Sequence, residues 1–108
     1  MIPGTTEAEF ATHVLQSEGP VLVQFGAEWS ASCRQHSPIM GQLASELAHR
    51  VKVVTVDVDE RPEIAEAYDV PGVPALVLFR NGRPVAAKHG PLPKERLLRW
   101  LEQALATG

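Results

Sequence analysis

The residues best suited to chemistry in this 108-residue chain surround one cysteine. Cys33 is the only cysteine, so it can form no intramolecular disulfide and no cysteine-rich metal site. It closes the segment Trp29-Ser30-Ala31-Ser32-Cys33, which separates an apolar run from a helical pattern. Backbone amides at the start of a helix stabilise a thiolate, whereas a cysteine that points inward behaves as a small hydrophobe. Spacing alone leaves both roles open for Cys33.

His36 lies three residues after Cys33, a spacing that suits a metal pair or a thiol with a base. A protein metal site needs three or four ligands, and the other histidines have no spacing that completes one. The cluster Asp57, Asp59 and Glu60 lacks the glycine-containing loop of a calcium site, so it is typical of solvated surface. No phosphate-binding glycine loop occurs either. We therefore expect no metal and no cofactor.

Four apolar segments predict the strands that position this motif. The nearly continuous apolar run Val21–Phe25 is typical of a central strand buried on both faces. The stretch Val51–Val58, β-branched and apolar at most positions, predicts another buried strand. Ala75–Phe79 and Pro84–Lys88 flank Asn81-Gly82, the strongest short signal for a hairpin. Proline is tolerated on edge strands, which places the Pro84 strand at an edge.

Helices are predicted between and beyond these strands. A capping box at Thr6 predicts a first helix that ends near Gln16, and Ser30 is a suitable N-cap for a long second helix. Pro38 lies within that second helix, where we expect a kink. Pro62 begins a short helix, and apolar residues from Leu97 to Leu105 mark a last one. The order α β α β α β β α over residues 1–108 predicts one α/β domain, a mixed sheet with helices on both faces.

Composition gives no sign of a nucleic-acid or membrane partner. Ten basic and thirteen acidic residues give a formal charge of −3, without a basic footprint for nucleic acid or a polybasic patch for lipid. The apolar runs are strand-sized, and the first residues lack the basic start and apolar stretch of a secretory signal. We therefore expect a cytoplasmic protein.

Several segments together resemble the thioredoxin family over nearly the whole chain. These are Val21–Phe25 followed by Ala27-Glu28-Trp29, Pro38 within the next helix, Val73-Pro74 with Leu76–Gly82, and Gly90. The resemblance implies a thioredoxin fold, a cis bond before Pro74, and a groove that binds an extended polypeptide by strand addition. The residues that it assigns to polypeptide binding are Trp29, Ala31, Ser32, Gly72, Val73 and Pro74.

The redox motif of that family, Trp-Cys-x-x-Cys, is incomplete here. Ser30 stands at the position of the attacking cysteine, and only the resolving cysteine is present, as Cys33. A serine hydroxyl does not ionise near neutral pH, so the mixed-disulfide cycle of the family cannot run within this chain. Gln24 stands where the family usually has a buried aspartate, and Gly26 where it often has an aromatic residue.

These departures favour a polypeptide-binding protein over a working oxidoreductase. Ser-x-x-Cys, together with Gly90-Pro91-Leu92-Pro93, is also similar to the thioredoxin-like half of chaperedoxins, which hold client proteins. The alternative is a protein-disulfide reductase whose attacking cysteine has been replaced by Ser30, with a disulfide reductase system as a partner. A monothiol cycle with glutathione is a weaker third hypothesis, because the glutathione-dependent relatives keep the first cysteine position. The sequence leaves open whether the protein is an enzyme.

Overall fold

A four-stranded mixed sheet organises the chain. The computed structural model describes Phe10 and residues 14–17, 19–70, 72–90 and 92–107. Its strands are β1 (Val21–Gly26), β2 (Lys52–Asp57), β3 (Ala75–Arg80) and β4 (Arg83–His89), in the order β2-β1-β3-β4. β1 runs parallel to β2 and antiparallel to β3, which pairs antiparallel with β4. The interior position of β1 confirms what its apolar sequence predicts.

Helices follow β1, β2 and β4 in the described residues. They are α1 (Ala31–Glu46), α2 (Pro62–Ala67) and α3 (Lys94–Thr107). The first predicted helix, from Thr6 to about Gln16, falls mainly outside the described residues. Pro38 lies inside α1, which continues through it, and the kink stays a prediction. None of the helices among the described residues has the length and apolar character needed to cross a membrane.

The two faces of the sheet carry separate hydrophobic clusters, as the predicted two-sided covering requires. Side chains alternate along a strand, so Val21, Val23 and Phe25 of β1 pack on one face and Leu22 on the other. α2 covers the first face through Ile64. α1 and α3 cover the second face with the buried side chains Met40, Leu43, Leu97 and Leu101. Burial of α1 on the sheet fixes its first turn, which carries Ser30 and Cys33.

The predicted hairpin joins β3 to β4. Asn81 and Gly82 have φ angles of 53° and 79°, as a two-residue turn between twisted strands requires. A Cβ on Gly82 would lie 2.5 Å from the Leu15 carbonyl oxygen, so no other residue fits there. Pro84 lies on the edge strand β4, beside a register shift at Leu78 and Phe79. Both the turn and the edge position of Pro84 are confirmed.

Candidate functional site

The register of the strands brings one end of each strand to the same edge of the sheet. These are the last residues of β1, β2 and β4 and the first residue of β3. Gly26, at the end of β1, pairs with Asp57 at the end of β2, while Phe25 pairs with Ala75 at the start of β3. Ala75 also pairs with His89 at the end of β4. The segments that follow β1 and β2 and the segment that precedes β3 therefore meet at this edge. We call it the site edge.

Ser30 caps the helix that begins at the site edge. Its backbone is extended, and its Oγ accepts a hydrogen bond from the backbone N–H of Cys33, with an N···O distance of 3.3 Å. Its own N–H donates to the Ala27 carbonyl at 3.2 Å. Ser30 is only 8% exposed, so its hydroxyl holds the helix start and is withdrawn from solvent. The predicted capping role of Ser30 is confirmed.

Cys33 lies one turn into α1 and is also 8% exposed. Its sulfur is a free thiol that lines a pocket of about 270 Å³. The pocket runs beneath the helix start, between α1 and the ends of β1 and β2, and Gln24, Gly26, Thr55 and Asp57 also line it. A Cβ built on Gly26 would lie 3.5 Å from Cys33 Sγ, so the absence of a side chain at Gly26 leaves space beside the thiol.

Trp29 stands out because its side chain is 67% exposed, the largest exposed apolar surface among the described residues. Its indole Nε1 donates a hydrogen bond to Asp59 Oδ2 at 2.7 Å. Asp59 is held in turn by its backbone N–H, which donates to Asp57 Oδ1 at 2.8 Å. This link fixes the indole at the site edge while its ring faces solvent. Such an arrangement suits a contact surface better than a core role.

The loop that precedes β3 supplies the other wall of the site edge. The Val73–Pro74 peptide bond is cis, as the resemblance implied, and the Pro74 carbonyl oxygen accepts a hydrogen bond from the Gly90 N–H at 2.9 Å. Gly72 is exposed, Val73 is half-buried and Pro74 is buried. On the helix side, Ala31 is exposed and Ser32 is half-buried. Gly72, Val73 and Ala31 therefore offer accessible surface at the site edge, which also carries Trp29.

His36 and Cys33 do not line the same pocket. His36 is 2% exposed and lines a separate, largely apolar pocket of about 230 Å³ with Gln35, Ile39, Leu92 and Pro93. Burial lowers the pKa of the imidazole, and hydrogen bonding to the Leu92 backbone partly opposes this effect. Among the described residues this contact is loose, since no group lies at good hydrogen-bond geometry to either ring nitrogen. Among the described residues, no group of three metal-ligating side chains comes together. The structure thus gives no support to a thiol with a base at Cys33.

The fold and the site edge together define a class of proteins. Its members have a mixed sheet with a cis-proline loop and a helix at the same edge, and in this chain the helix begins with Ser-x-x-Cys. The sequence pattern of the family described as thioredoxin matches residues 2–103. A thioredoxin of Rhodospirillum rubrum is 39% identical over 100 residues, covering 93% of this chain and 96% of that protein. Thioredoxin C-2 of Corynebacterium nephridii is 38% identical over 102 residues, covering 94% of each. The chain belongs to the thioredoxin family, and its fold is the thioredoxin fold.

Sequence reasoning missed one residue of the site edge. It interpreted Asp59 as part of a solvated acidic cluster, whereas the side chain holds Trp29. The available signal was the parallel pairing of the two apolar strands, which puts the residues after β1 and those after β2 at the same edge. Asp59 is exposed, as predicted, and it also has a specific partner.

Proposed function

We propose that this protein binds extended polypeptides at the site edge and does not by itself catalyse dithiol–disulfide exchange. The observation that carries the proposal is the position and the hydrogen bond of the Ser30 hydroxyl. Its hydroxyl occupies the position of the attacking thiol and serves as the cap of α1, 3.3 Å from the Cys33 backbone nitrogen. The chain thus has one thiol and no intramolecular partner for it.

The chemical argument concerns the electrons of the exchange reaction. Reduction of a substrate disulfide needs a thiolate that attacks one sulfur and a second thiol that releases the mixed disulfide. Both electrons then come from the two cysteines of the enzyme, which close into a disulfide. With Cys33 alone, a mixed disulfide with the substrate could be resolved only by an external thiol. Burial of Cys33 also opposes the first attack.

The recognition argument concerns the surface around Trp29. A ring that is 67% exposed and fixed by Asp59 offers apolar area at a small cost in conformational entropy. Gly72 and Val73 are accessible residues of the same site edge, and their backbone suits strand addition by an extended chain. We include Ala31, Ser32 and Pro74 in this surface. We further propose a cytoplasmic, single-domain protein that holds clients in the manner of the chaperedoxins that it resembles.

The second candidate is a protein-disulfide reductase whose attacking cysteine has been replaced by Ser30. Membership of the thioredoxin family favours it, because relatives that match nearly the whole chain are named thioredoxins. In that case the partners would be protein disulfides and a reductase system. Under the binding hypothesis, the departures at Gln24 and Gly26 leave the site unsuited to catalysis even with a second cysteine.

Two measurements on the protein and its Ser30→Cys variant separate these candidates. The first is insulin reduction with dithiothreitol, and the second is binding of a permanently unfolded polypeptide whose cysteines are alkylated. Binding by both forms without turnover by either supports the proposal. Robust turnover by Ser30→Cys alone favours the reductase. In a parallel reaction without dithiothreitol or any other added thiol, catalytic reduction of insulin by the unmodified chain contradicts both the proposal and the chemical argument behind it.

A further inference from the structure

The sheet face beneath α1 changes from apolar to polar where it reaches the Cys33 pocket. Side chains alternate along a strand, so Leu22 and Gln24 of β1 share the face that α1 covers. Leu22 packs in the hydrophobic cluster of that face, whereas Gln24 lines the pocket together with the Cys33 thiol. A carboxamide and a thiol therefore share one pocket below the first turn of α1.

Gln24 has an unpartnered carboxamide in this pocket. The residue is only 6% exposed, and its side chain forms no hydrogen bond with the described residues. The carboxamide is not sealed by protein atoms either, so what remains accessible of it opens into the pocket. A carboxamide has two N–H donors and one carbonyl acceptor, and buried polar groups normally have partners. Gln24 thus suits a small polar group that enters the pocket or forms within it.

The Cys33 sulfur has room for one more atom on its pocket side. A Cβ at Gly26 would lie 3.5 Å from Cys33 Sγ, so glycine leaves this space open. Gly26 follows Gln24 by two residues in β1, about 6.6 Å at 3.3 Å per residue. A glutamine side chain and one hydrogen bond together span that distance. An oxygen bound to the sulfur can therefore be reached by the Gln24 carboxamide.

The chain has no group that would consume a sulfenic acid formed at Cys33. A sulfenic acid is lost by condensation with a thiol, by reaction with a backbone nitrogen or by further oxidation. Cys33 is the only cysteine, and the next backbone N–H, that of Arg34, donates to the Ser30 carbonyl at 3.1 Å. Glutathione meets a sulfur that is 8% exposed, in a pocket whose lining carries Glu28 and Asp57 against one arginine. Burial and negative charge both oppose entry of this anionic tripeptide.

We infer that Cys33 is a modification site at which hydrogen peroxide forms a persistent sulfenic acid held by Gln24. Hydrogen peroxide is neutral and close to water in size, so it enters the pocket without a desolvated charge. The sulfur attacks one peroxide oxygen, the O–O bond breaks and an S–O bond forms. The leaving hydroxide takes the thiol proton and becomes water, so the two electrons lost by sulfur reduce the peroxide. This inference does not depend on polypeptide binding.

The first test measures the lifetime of the sulfenic acid. Reduced protein is treated with hydrogen peroxide, catalase removes the excess, and glutathione is added for increasing times. The protein is then unfolded in dimedone, which labels sulfenic acids, and weighed by mass spectrometry. We expect one dimedone per chain and a lifetime at least fivefold longer than in Gln24→Leu. Gln42→Leu makes the same change at an exposed position of α1 and should keep the long lifetime.

Two results of this first test overturn the inference. One is the absence of a dimedone adduct from the unmodified protein after peroxide treatment. The other is an equal lifetime in the unmodified protein and in Gln24→Leu, since the carboxamide would then not hold the oxidised sulfur.

The second test needs no substitution, so it does not depend on the folding of a variant. NMR of the nitrogen-15-labelled protein follows the side-chain amide protons of Gln24 before and after peroxide. We expect them to shift more than those of the exposed Gln35 and Gln42, and to return when dithiothreitol reduces the sulfenic acid. Gln24 signals that stay in place while the dimedone adduct forms overturn its role as partner. A change that dithiothreitol does not reverse indicates sulfinic acid and overturns the persistent sulfenic acid.

Discussion

The two halves of the site edge differ in what they show to solvent. On one side, Trp29 is exposed and held by Asp59, and Gly72 and Val73 of the same site edge are accessible. On the other side, Ser30 and Cys33 are each 8% exposed, and the serine hydroxyl is engaged in the helix cap. An exposed contact surface thus lies beside a withdrawn thiol. Under the proposed function, recognition depends on Trp29 and sulfur chemistry depends on Cys33, so substitutions at these two residues should separate the two properties.

The largest expected effect concerns the exposed half. Trp29→Ala removes the main apolar anchor and should weaken binding of an alkylated, unfolded polypeptide about tenfold or more, since central aromatic anchors contribute ~2 kcal/mol or more. Fluorescence anisotropy of the labelled polypeptide measures the change. Val85→Ala is the matched control, because Val85 is an exposed apolar residue on the edge strand β4. Equal losses in both variants would mean that binding is not localised at the site edge.

His36→Leu tests the buried helix face next to the thiol. Replacement of this buried imidazole by an apolar side chain of similar size removes the cost of its desolvation and should raise the free energy of unfolding by about 1 kcal/mol at low pH. Burial lowers the folded-state pKa of His36, so the unfolded state takes up its proton first as pH falls. The histidine-dependent stability is complete above the unfolded pKa near 6.5 and is lost as pH falls through the folded value.

Urea unfolding of the two proteins between pH 7.5 and 5 measures this dependence. The unmodified protein should lose stability over this range more steeply than His36→Leu, and the difference between the two curves isolates His36. Parallel curves would show that the imidazole is not held neutral by its surroundings.

The capping role of Ser30 can be tested by replacing Ser30 with alanine and comparing the result with the same replacement at Ser45. Ser30→Ala removes the acceptor for the Cys33 N–H and should lower the free energy of unfolding by about 1 kcal/mol. Ser45 is exposed near the end of α1, where alanine is the better helix former, so Ser45→Ala should raise stability by about 0.5 kcal/mol. Thermal and urea unfolding measure both. Effects of the same sign would mean that the Ser30 hydroxyl does not stabilise the helix start.

Short sequence patterns predicted most of the strands, turns and helices, because these elements depend mainly on interactions between neighbouring residues. The continuous apolar run of β1, the positive φ angles of Asn81 and Gly82 and the cap at Ser30 each depend on a few neighbouring residues. The cis bond before Pro74 followed only from the family resemblance, since most bonds before proline are trans. The same resemblance named the site residues.

What the sequence could not predict depends on register and on packing between distant elements. The bond from Trp29 to Asp59 joins residues thirty positions apart and exists because Gly26 pairs with Asp57. Helical spacing put His36 beside Cys33, but only the three-dimensional packing shows that Leu92 and Pro93 give His36 a pocket of its own. Hydrophobic periodicity predicts which face of a helix or strand is buried, but it does not predict which other element packs against that face.

The smallest expected effect concerns access to the thiol. Cys33 should react with iodoacetamide more slowly than a small free thiol, because it is 8% exposed and lies in the pocket beneath α1. Gly26→Ala places a methyl group 3.5 Å from Cys33 Sγ, an ordinary contact, and should raise the free energy of unfolding by about 0.5 kcal/mol. Alkylation, followed by mass spectrometry, should slow several-fold further because the methyl narrows the pocket.

Gly41→Ala distinguishes this local route from alkylation of unfolded protein. Gly41 lies exposed in α1 with open space where a Cβ would lie, and alanine there should stabilise the helix by about 1 kcal/mol. If the reagent enters through the pocket, Gly41→Ala leaves the alkylation rate unchanged while Gly26→Ala lowers it. If the thiol reacts only after unfolding, the rate follows stability and Gly41→Ala becomes the slower variant. That second result would show that the reagent does not reach Cys33 through the pocket, and that the thiol is enclosed in the folded protein.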